Sequence, residues 1–325
     1  MTPLPWQSDV WQALGRRIIA GTIPHAMLFT GPEGVGKRQF AQAFVQRLFC
    51  HALDQGLACG KCKACHLLKI NNHPDQFWIS KPEDKKVISV DQIRGLISYV
   101  NLKPHSTWKK VAIIEQAELM NINASNSLLK TLEEPPESSL LILLTHRPDQ
   151  LLATIRSRCQ VLQFTTPDRQ QAISWLQAKM GDERQAEKLL SAANGSPLRA
   201  MAYKENNLLQ QREEQFASLQ ALMARQAHPV EVANRWLKMD LDMTLYCVTS
   251  WISDMIRLKV TPEPPVLSNP DARSELATMS QQSTLTKMLA FHAFIYQIPQ
   301  LKGANVNEQM ILEKILVQWT RLNVC

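Results

Sequence analysis

Short apolar runs alternate with helical periodicity through the first half of the chain, which is the pattern of an α/β protein built on a sheet. His25–Thr30 (HAMLFT) is an apolar run that ends in a glycine-rich turn, Gly31–Lys37, and a helical stretch follows from Arg38 to Phe49. Asp75–Ile79 predicts a second strand. Lys110–Glu115 (KVAIIE) is compact and rich in β-branched residues, as a buried strand is. Leu140–Thr145 and Gln160–Phe164 complete the set. Asn123–Glu134 carries a helical pattern that Pro135 and Pro136 cannot continue.

The texture changes after Phe164. A helix is predicted from Asp168, with Pro167 in its first turn, and another over Glu183–Ala193 that stops at Asn194-Gly195. Beyond residue 205 come long amphipathic stretches: Asn207–Arg225, Val230–Lys238, Met243–Leu258, Ser274–Ile298 and Asn307–Leu322. A proline-rich connector, Thr261 through Pro270, interrupts them. The expected organisation is an α/β domain over 1–164, a small helical domain over 165–205 and a larger helical domain over 206–325.

Composition removes several classes. With 45% hydrophobic and 20% charged residues over 325 positions, the chain has the mix of a globular protein that buries a sizeable core. Lys and Arg outnumber Asp and Glu 36 to 29, and that excess of +7 permits contact with nucleic acid without demanding it. No apolar run approaches the roughly 18 residues of a membrane helix, and the N-terminus lacks a basic start followed by an apolar stretch. A cytoplasmic location is expected. Cysteine usage agrees with it: Cys50, Cys59, Cys62 and Cys65 cluster while Cys159, Cys247 and Cys325 are scattered, which suits a metal site in a reducing compartment better than disulfides.

Two segments carry chemistry. Gly31-x4-Gly36-Lys37, between a strand and a helix, has the form of a phosphate-binding loop, whose glycines let backbone N–H groups face phosphate oxygens. The next residue of such a loop carries a hydroxyl that ligates Mg²⁺; here it is Arg38, a cation without a lone pair. At the end of Lys110–Glu115, where a metal-binding Asp and a catalytic Glu are expected, stand Glu115 and Gln116, and an amide cannot serve as a base. Three departures in one direction predict a site unable to hydrolyse ATP efficiently, with nucleotide binding itself in question. The second segment is Cys50-x8-Cys59-x2-Cys62-x2-Cys65, four soft ligands at tetrahedral spacing for structural Zn²⁺. An iron–sulfur cluster also takes four cysteines, and His51 and His66 stand close enough in sequence to substitute.

These residues together resemble a family. Pro24–Lys37 (PHAMLFTGPEGVGK), the cysteine knuckle, Val90-Asp-Gln-Ile-Arg94, Asn126–Pro136 (NSLLKTLEEPP) and Ile155–Cys159 (IRSRC) are similar to bacterial clamp-loader subunits of the AAA+ class, closely over about the first 165 residues. The later part matches mainly through Gly195-Ser-Pro197 and Asn307–Leu316. The resemblance implies an α/β AAA+ fold: a RecA-like parallel sheet with P-loop and inserted zinc module, then a small helical lid and an all-α C-terminal collar that packs in a ring. Met310, Ile311, Ile315, Leu316 and Trp319 are placed at helical spacing for collar packing or for an intra-chain core.

The resemblance also implies partners within the DNA polymerase III holoenzyme: gamma/tau and delta subunits in a hetero-oligomer, and through them the sliding clamp and primed DNA. The retained Ser157-Arg158-Cys159 with a degraded nucleotide site resembles a non-hydrolysing loader subunit rather than the gamma/tau ATPase. It implies that Arg158, with Arg156 as second candidate, reaches the ATP site of a neighbour, where a guanidinium stabilises charge on the transferring phosphoryl group. Thr145 falls at the position that senses the γ-phosphate in active relatives, and Arg199 near a second sensor position, displaced by one. Two alternatives remain at this level: an active gamma/tau-like ATPase, in which Lys37 and Glu115 still work, and a stand-alone DNA-binding module built on the knuckle and the basic charge.

Overall fold

The computed structural model describes residues 2–82, 85–105, 109–205, 208–261, 263–264, 266–301 and 307–322, the side chains of 299–301 excepted. Asn207, Pro262, Pro265 and Cys325, each part of a stretch named above, lie outside the described residues. The chain divides into two compact units, Met1–Ala172 and Ile173–Cys325.

The first unit is a five-stranded parallel sheet flanked by helices. Its strands are β1 (Ala26–Thr30), β2 (Gln76–Ile79), β3 (Lys110–Ile114), β4 (Ser139–Leu144) and β5 (Gln160–Gln163), in the order β2-β3-β4-β1-β5. Register is fixed by pairs such as Met27 with Ile142, and Ile142 with Ile113. Every residue of β1, β3 and β4 is buried, because both faces of a parallel sheet are covered; this is why these strands read as unbroken apolar runs. Successive side chains enter opposite layers. Met27, Phe29, Val111, Ile113 and Ile142 pack with Phe40 and Phe44 on one face, while Leu28, Ala112, Ile114, Leu141 and Leu143 pack with Ile93, Leu96 and Leu128 on the other.

The helices of this unit are α1 (Ser8–Ile19), α2 (Lys37–Phe49), α3 (Lys63–Lys69), α4 (Val90–Val100), α5 (Ile122–Glu133) and α6 (Ala153–Arg156). Local chemistry sets their ends. Ser89 and Gln92 form a capping box at the start of α4, the Ser89 Oγ accepting from the Gln92 N–H at 3.4 Å and Gln92 Oε1 from the Ser89 N–H at 3.0 Å. Asn121 caps α5 through the Ala124 N–H at 2.8 Å, and Pro135-Pro136 ends it.

The second unit is helical among the described residues. It holds most of α7 (Arg169–Met180), then α8 (Glu183–Ala192), α9 (Pro197–Glu205), α10 (Leu208–Met223), α11 (Pro229–Trp236), α12 (Leu241–Val260), α13 (Arg273–Gln281), α14 (Leu285–Leu301) and α15 (Glu308–Thr320). Asp168 opens α7 by accepting the Gln170 and Gln171 N–H groups, so the helix starts just after the expected Asp168. Trp236, Trp251 and Trp319 are fully buried at the centre of the large cluster of α10 to α15, and Trp319 Nε1 donates to the Leu219 carbonyl at 3.2 Å.

One expectation needs correction. The stretch Ser274–Ile298 is two helices, because Thr284 Oγ1 accepts the Lys287 N–H at 3.3 Å and caps a fresh start while Ser283 is buried in the break. Of the collar positions whose use the spacing left open, Ile311, Ile315, Leu316 and Trp319 lie in the core of their own unit, while Met310 is 66% exposed. No helix among the described residues is long and apolar enough to cross a membrane.

Candidate functional site

The phosphate loop leaves β1 at Thr30 and enters α2 at Lys37. Gly31 has φ +139°, and a Cβ there would collide with the Phe164 carbonyl oxygen, so that position accepts only glycine. Gly36, at φ +94°, caps α2 in the left-handed region, and a Cβ on it would strike Leu4 Cδ1 and Gln7 Nε2. The collision identifies what lies on the loop: Gln7, 1% exposed, donates from Nε2 to the carbonyls of Val35 (3.1 Å) and Gly36 (3.0 Å), and Trp6 Nε1 donates to Val35 at 3.0 Å.

Lys37 is turned back onto its own loop. Its Nζ donates to the carbonyls of Gly31 at 2.6 Å and Pro32 at 2.7 Å. Burial pushes its pKa down to about 8, against the opposing pull of the Glu118 and Glu33 carboxylates. Next to it, Arg38 Nη1 lies 3.3 Å from Glu115 Oε1, and the other Glu115 oxygen accepts from Trp78 Nε1 at 3.1 Å. The Arg38 guanidinium also stands 5.6 Å from the centre of the Trp78 ring. Both oxygens of Glu115 are thus engaged by side chains of the protein. Gln116 follows with φ +53°, a left-handed conformation that a non-glycine residue adopts at some cost.

Two residues at this end of the sheet carry no signal in the sequence. Glu118 has a side chain only 1% exposed, and His146 Nδ1 lies 3.1 Å from its Oε1. Burial pulls the His146 pKa down, while Glu118 pulls it up. Their separation of 28 positions carries no motif, and only the parallel pairing of β3 with β4 brings the following loops together. Thr145, which the family resemblance places at a γ-phosphate-sensing position, makes a turn here: its Oγ1 accepts the Arg147 N–H at 3.0 Å. Arg199 lies in the second unit, where its guanidinium stacks 3.8 Å from the centre of the Tyr246 ring and 5.6 Å from that of Tyr203.

Arg158 lies between α6 and β5. Its Nη2 lies 2.7 Å from Glu133 Oε1, and its Nη1 donates to the Thr154 carbonyl at 3.0 Å. Cys159, the next residue, is buried in the core with its thiol pKa pushed up to about 12 by burial, which makes it an anchor rather than a nucleophile. Arg156 is exposed on the same short segment.

The cysteines converge. Cys50 ends α2, Cys62 caps α3 and Cys65 sits inside it, and with Cys59 their sulfurs all lie within 4.8 Å of one another. A tetrahedral zinc with bonds of about 2.3 Å separates its sulfurs by roughly 3.8 Å, so this donor set fits the ion. Backbone N–H groups of Lys61 and Cys62 point at the Cys59 sulfur and lower its pKa, which favours the thiolate a metal binds. The Cys59 N–H donates likewise to the Cys50 sulfur at 3.2 Å. Neither His51 nor His66 belongs to the cluster, and both are exposed.

The chain is similar to known proteins along most of its length. A family model described as DNA polymerase III, delta subunit, matches residues 6–168, and a model for the C-terminal region of the delta subunit matches 206–321. The DNA polymerase III subunit delta' of Pseudomonas aeruginosa is 35% identical over 98% of this chain and 97% of its own length. The tau subunit of Bacillus subtilis is 34% identical over 49% of this chain and 28% of its own. A crystal structure of a gamma subunit-related protein from Thermotoga maritima aligns with a TM-score of 0.46 at 19% identity, covering 96% of this chain and 99% of that one.

Proposed function

Because this chain belongs to the DNA polymerase III delta-prime subunit family of AAA+ clamp loaders, we propose that it serves the loader as a non-hydrolysing subunit supplying Arg158 in trans to the ATP site of an adjoining gamma/tau ATPase. The observation that carries the first half is the ion pair of Arg38 with Glu115 at 3.3 Å. A phosphoryl-transfer site needs a divalent cation to neutralise charge and a base to orient water. Here the cation's position is filled by a guanidinium, the liganding carboxylate is already paired, and Gln116 cannot take a proton. The Lys37 ammonium is held by loop carbonyls, and Gln7 lies across the loop.

Arg158 supports the second half. An arginine in trans works by placing fixed positive charge where negative charge develops on the equatorial oxygens of the transferring group. Buried Cys159 fixes the backbone behind Arg158, while the guanidinium side chain stays 34% exposed. The partners on this reading are gamma/tau and delta subunits, with the sliding clamp and primed DNA reached through the assembled complex. Residues 165–205 act as the lid and 206–325 as the collar. Zinc bound by Cys50, Cys59, Cys62 and Cys65 would be structural, cross-linking the end of α2 to α3, since all four ligand positions are protein sulfurs.

The test is a loader reconstituted with Arg158→Ala. Assembly, followed by gel filtration, should be intact, and DNA-stimulated ATP turnover should fall by about 10³-fold if the whole arginine contribution resides there. An unchanged rate removes the trans-arginine role. Robust ATP hydrolysis by the purified chain alone would instead support the active-ATPase alternative.

A further inference from the structure

We propose that Glu133 is the positioning residue for Arg158, a proposal that rests on the trans-arginine reading above. Glu133 is the last residue of α5, and Glu134 follows it as the cap. Two carboxylates thereby stand at the negative pole of a helix, where the exposed carbonyls already repel them. Lys130 in the last turn is one cation against two carboxylates, so a second cation nearby is favourable. That cation is the Arg158 guanidinium, 2.7 Å from Glu133 Oε1.

The geometry is specific about the arginine. Its Nη1 is held by the Thr154 carbonyl at 3.0 Å and reaches Ser157 Oγ at 3.4 Å, and its Nη2 is held by Glu133. A guanidinium has five donors in one plane. Anchoring Nη1 to the backbone of α6 and Nη2 to the end of α5 restricts the side chain to one orientation, with donors left over for an incoming oxyanion. The side chain is 34% exposed and Glu133 49% exposed, so this is a tether at the surface, too weak to hold the fold but able to select a rotamer. A long, flexible arginine that is already oriented loses less entropy on reaching a phosphoryl group, and that gain is realised in the transition state.

The experiment uses the reconstituted loader and follows DNA-stimulated ATP hydrolysis. Glu133→Gln should lower kcat about two- to five-fold, leave the KM for ATP unchanged and leave the unfolding temperature of the chain unchanged. Glu133→Asp should restore at least half of the lost rate. In an Arg158→Ala background, Glu133→Gln should produce no further loss. A wild-type rate for Glu133→Gln beside a slow Arg158→Ala overturns the tether alone, as does an equal loss from Glu133→Gln in both backgrounds. A wild-type rate for Arg158→Ala itself overturns the trans-arginine reading, and the tether with it.

Discussion

The guanidinium of Arg38 and the carboxylate of Glu115 meet at 3.3 Å, joining the first turn of α2 to the end of β3. In a working nucleotide hydrolase these two places cooperate to hold a divalent cation. In this chain they hold each other, with Trp78 donating to the second carboxylate oxygen.

Undoing that pair should restore metal affinity without restoring turnover. The double variant Arg38→Thr with Glu115→Asp supplies a hydroxyl and a shorter carboxylate. ATP should then bind at least several-fold more tightly with Mg²⁺ than without, by calorimetric titration. Phosphate release should stay at background, because Gln116 still has no basic atom. Turnover appearing in this variant would show that the amide is not what limits the site.

The knuckle should carry about one zinc per chain on metal analysis. Cys62→Ser removes one ligand and leaves three thiolates around the ion. We expect zinc content to drop and the denaturant midpoint to shift by an amount equivalent to at least about 2 kcal/mol. Full stability in the metal-free variant would refute a structural role, and iron in the wild-type protein would refute the choice of ion.

Lys37 predicts a pH dependence with a definite sign. Its pKa falls from 10.5 to about 8 on folding, so between those values the unfolded chain binds more protons than the folded one. The cost of burying the ammonium is therefore fully present below pH 8 and is relieved as the pH rises toward 10.5. Relative to Lys37→Met, wild-type stability should climb between pH 8 and 10 with a slope of at most about 1.4 kcal/mol per pH unit. Parallel curves for the two proteins in urea titrations would rule this out.

Lys110 and Asp75 form a buried pair at 3.3 Å, with side chains 5% and 0% exposed. Lys110→Met leaves the Asp75 carboxylate in the core without its cation, which costs about 3–5 kcal/mol. Asp75 still accepts the His105 N–H at 2.7 Å, so the loss should sit at the lower end. A midpoint shift equivalent to less than about 1 kcal/mol would mean that water reaches the site.

The sheet was legible in the sequence because parallel strands buried on both faces leave continuous apolar runs, and the limits read for β1, β3 and β4 lie within one residue of those observed. The glycine-lysine loop and the cysteine spacing were legible because their chemistry is local. What escaped was tertiary. Helix α1 carries Gly15 in its interior, a residue that argues against a helix until Arg47 is seen lying against it and 5.1 Å from the Trp11 ring centre. Helices α3, α6 and α9 were too short or too weakly periodic to stand out, whereas α4, with its capping box and buried Ile93, Leu96 and Val100, was legible and was passed over. The cover of Gln7 over Gly36, the contact of Glu118 with His146 and the tether of Arg158 to Glu133 join residues that no spacing rule connects.

The mutual lock of Arg38 and Glu115 has a consequence for how such a molecule can vary. Replacing either residue alone leaves the other charge beside Trp78 without its ion-pair partner. On the non-hydrolysing reading proposed above, a metal-loaded, water-activating centre would need positions 38, 115 and 116 to change together. Such a narrow route would act as a ratchet, leaving the surrounding surface at liberty to specialise for company.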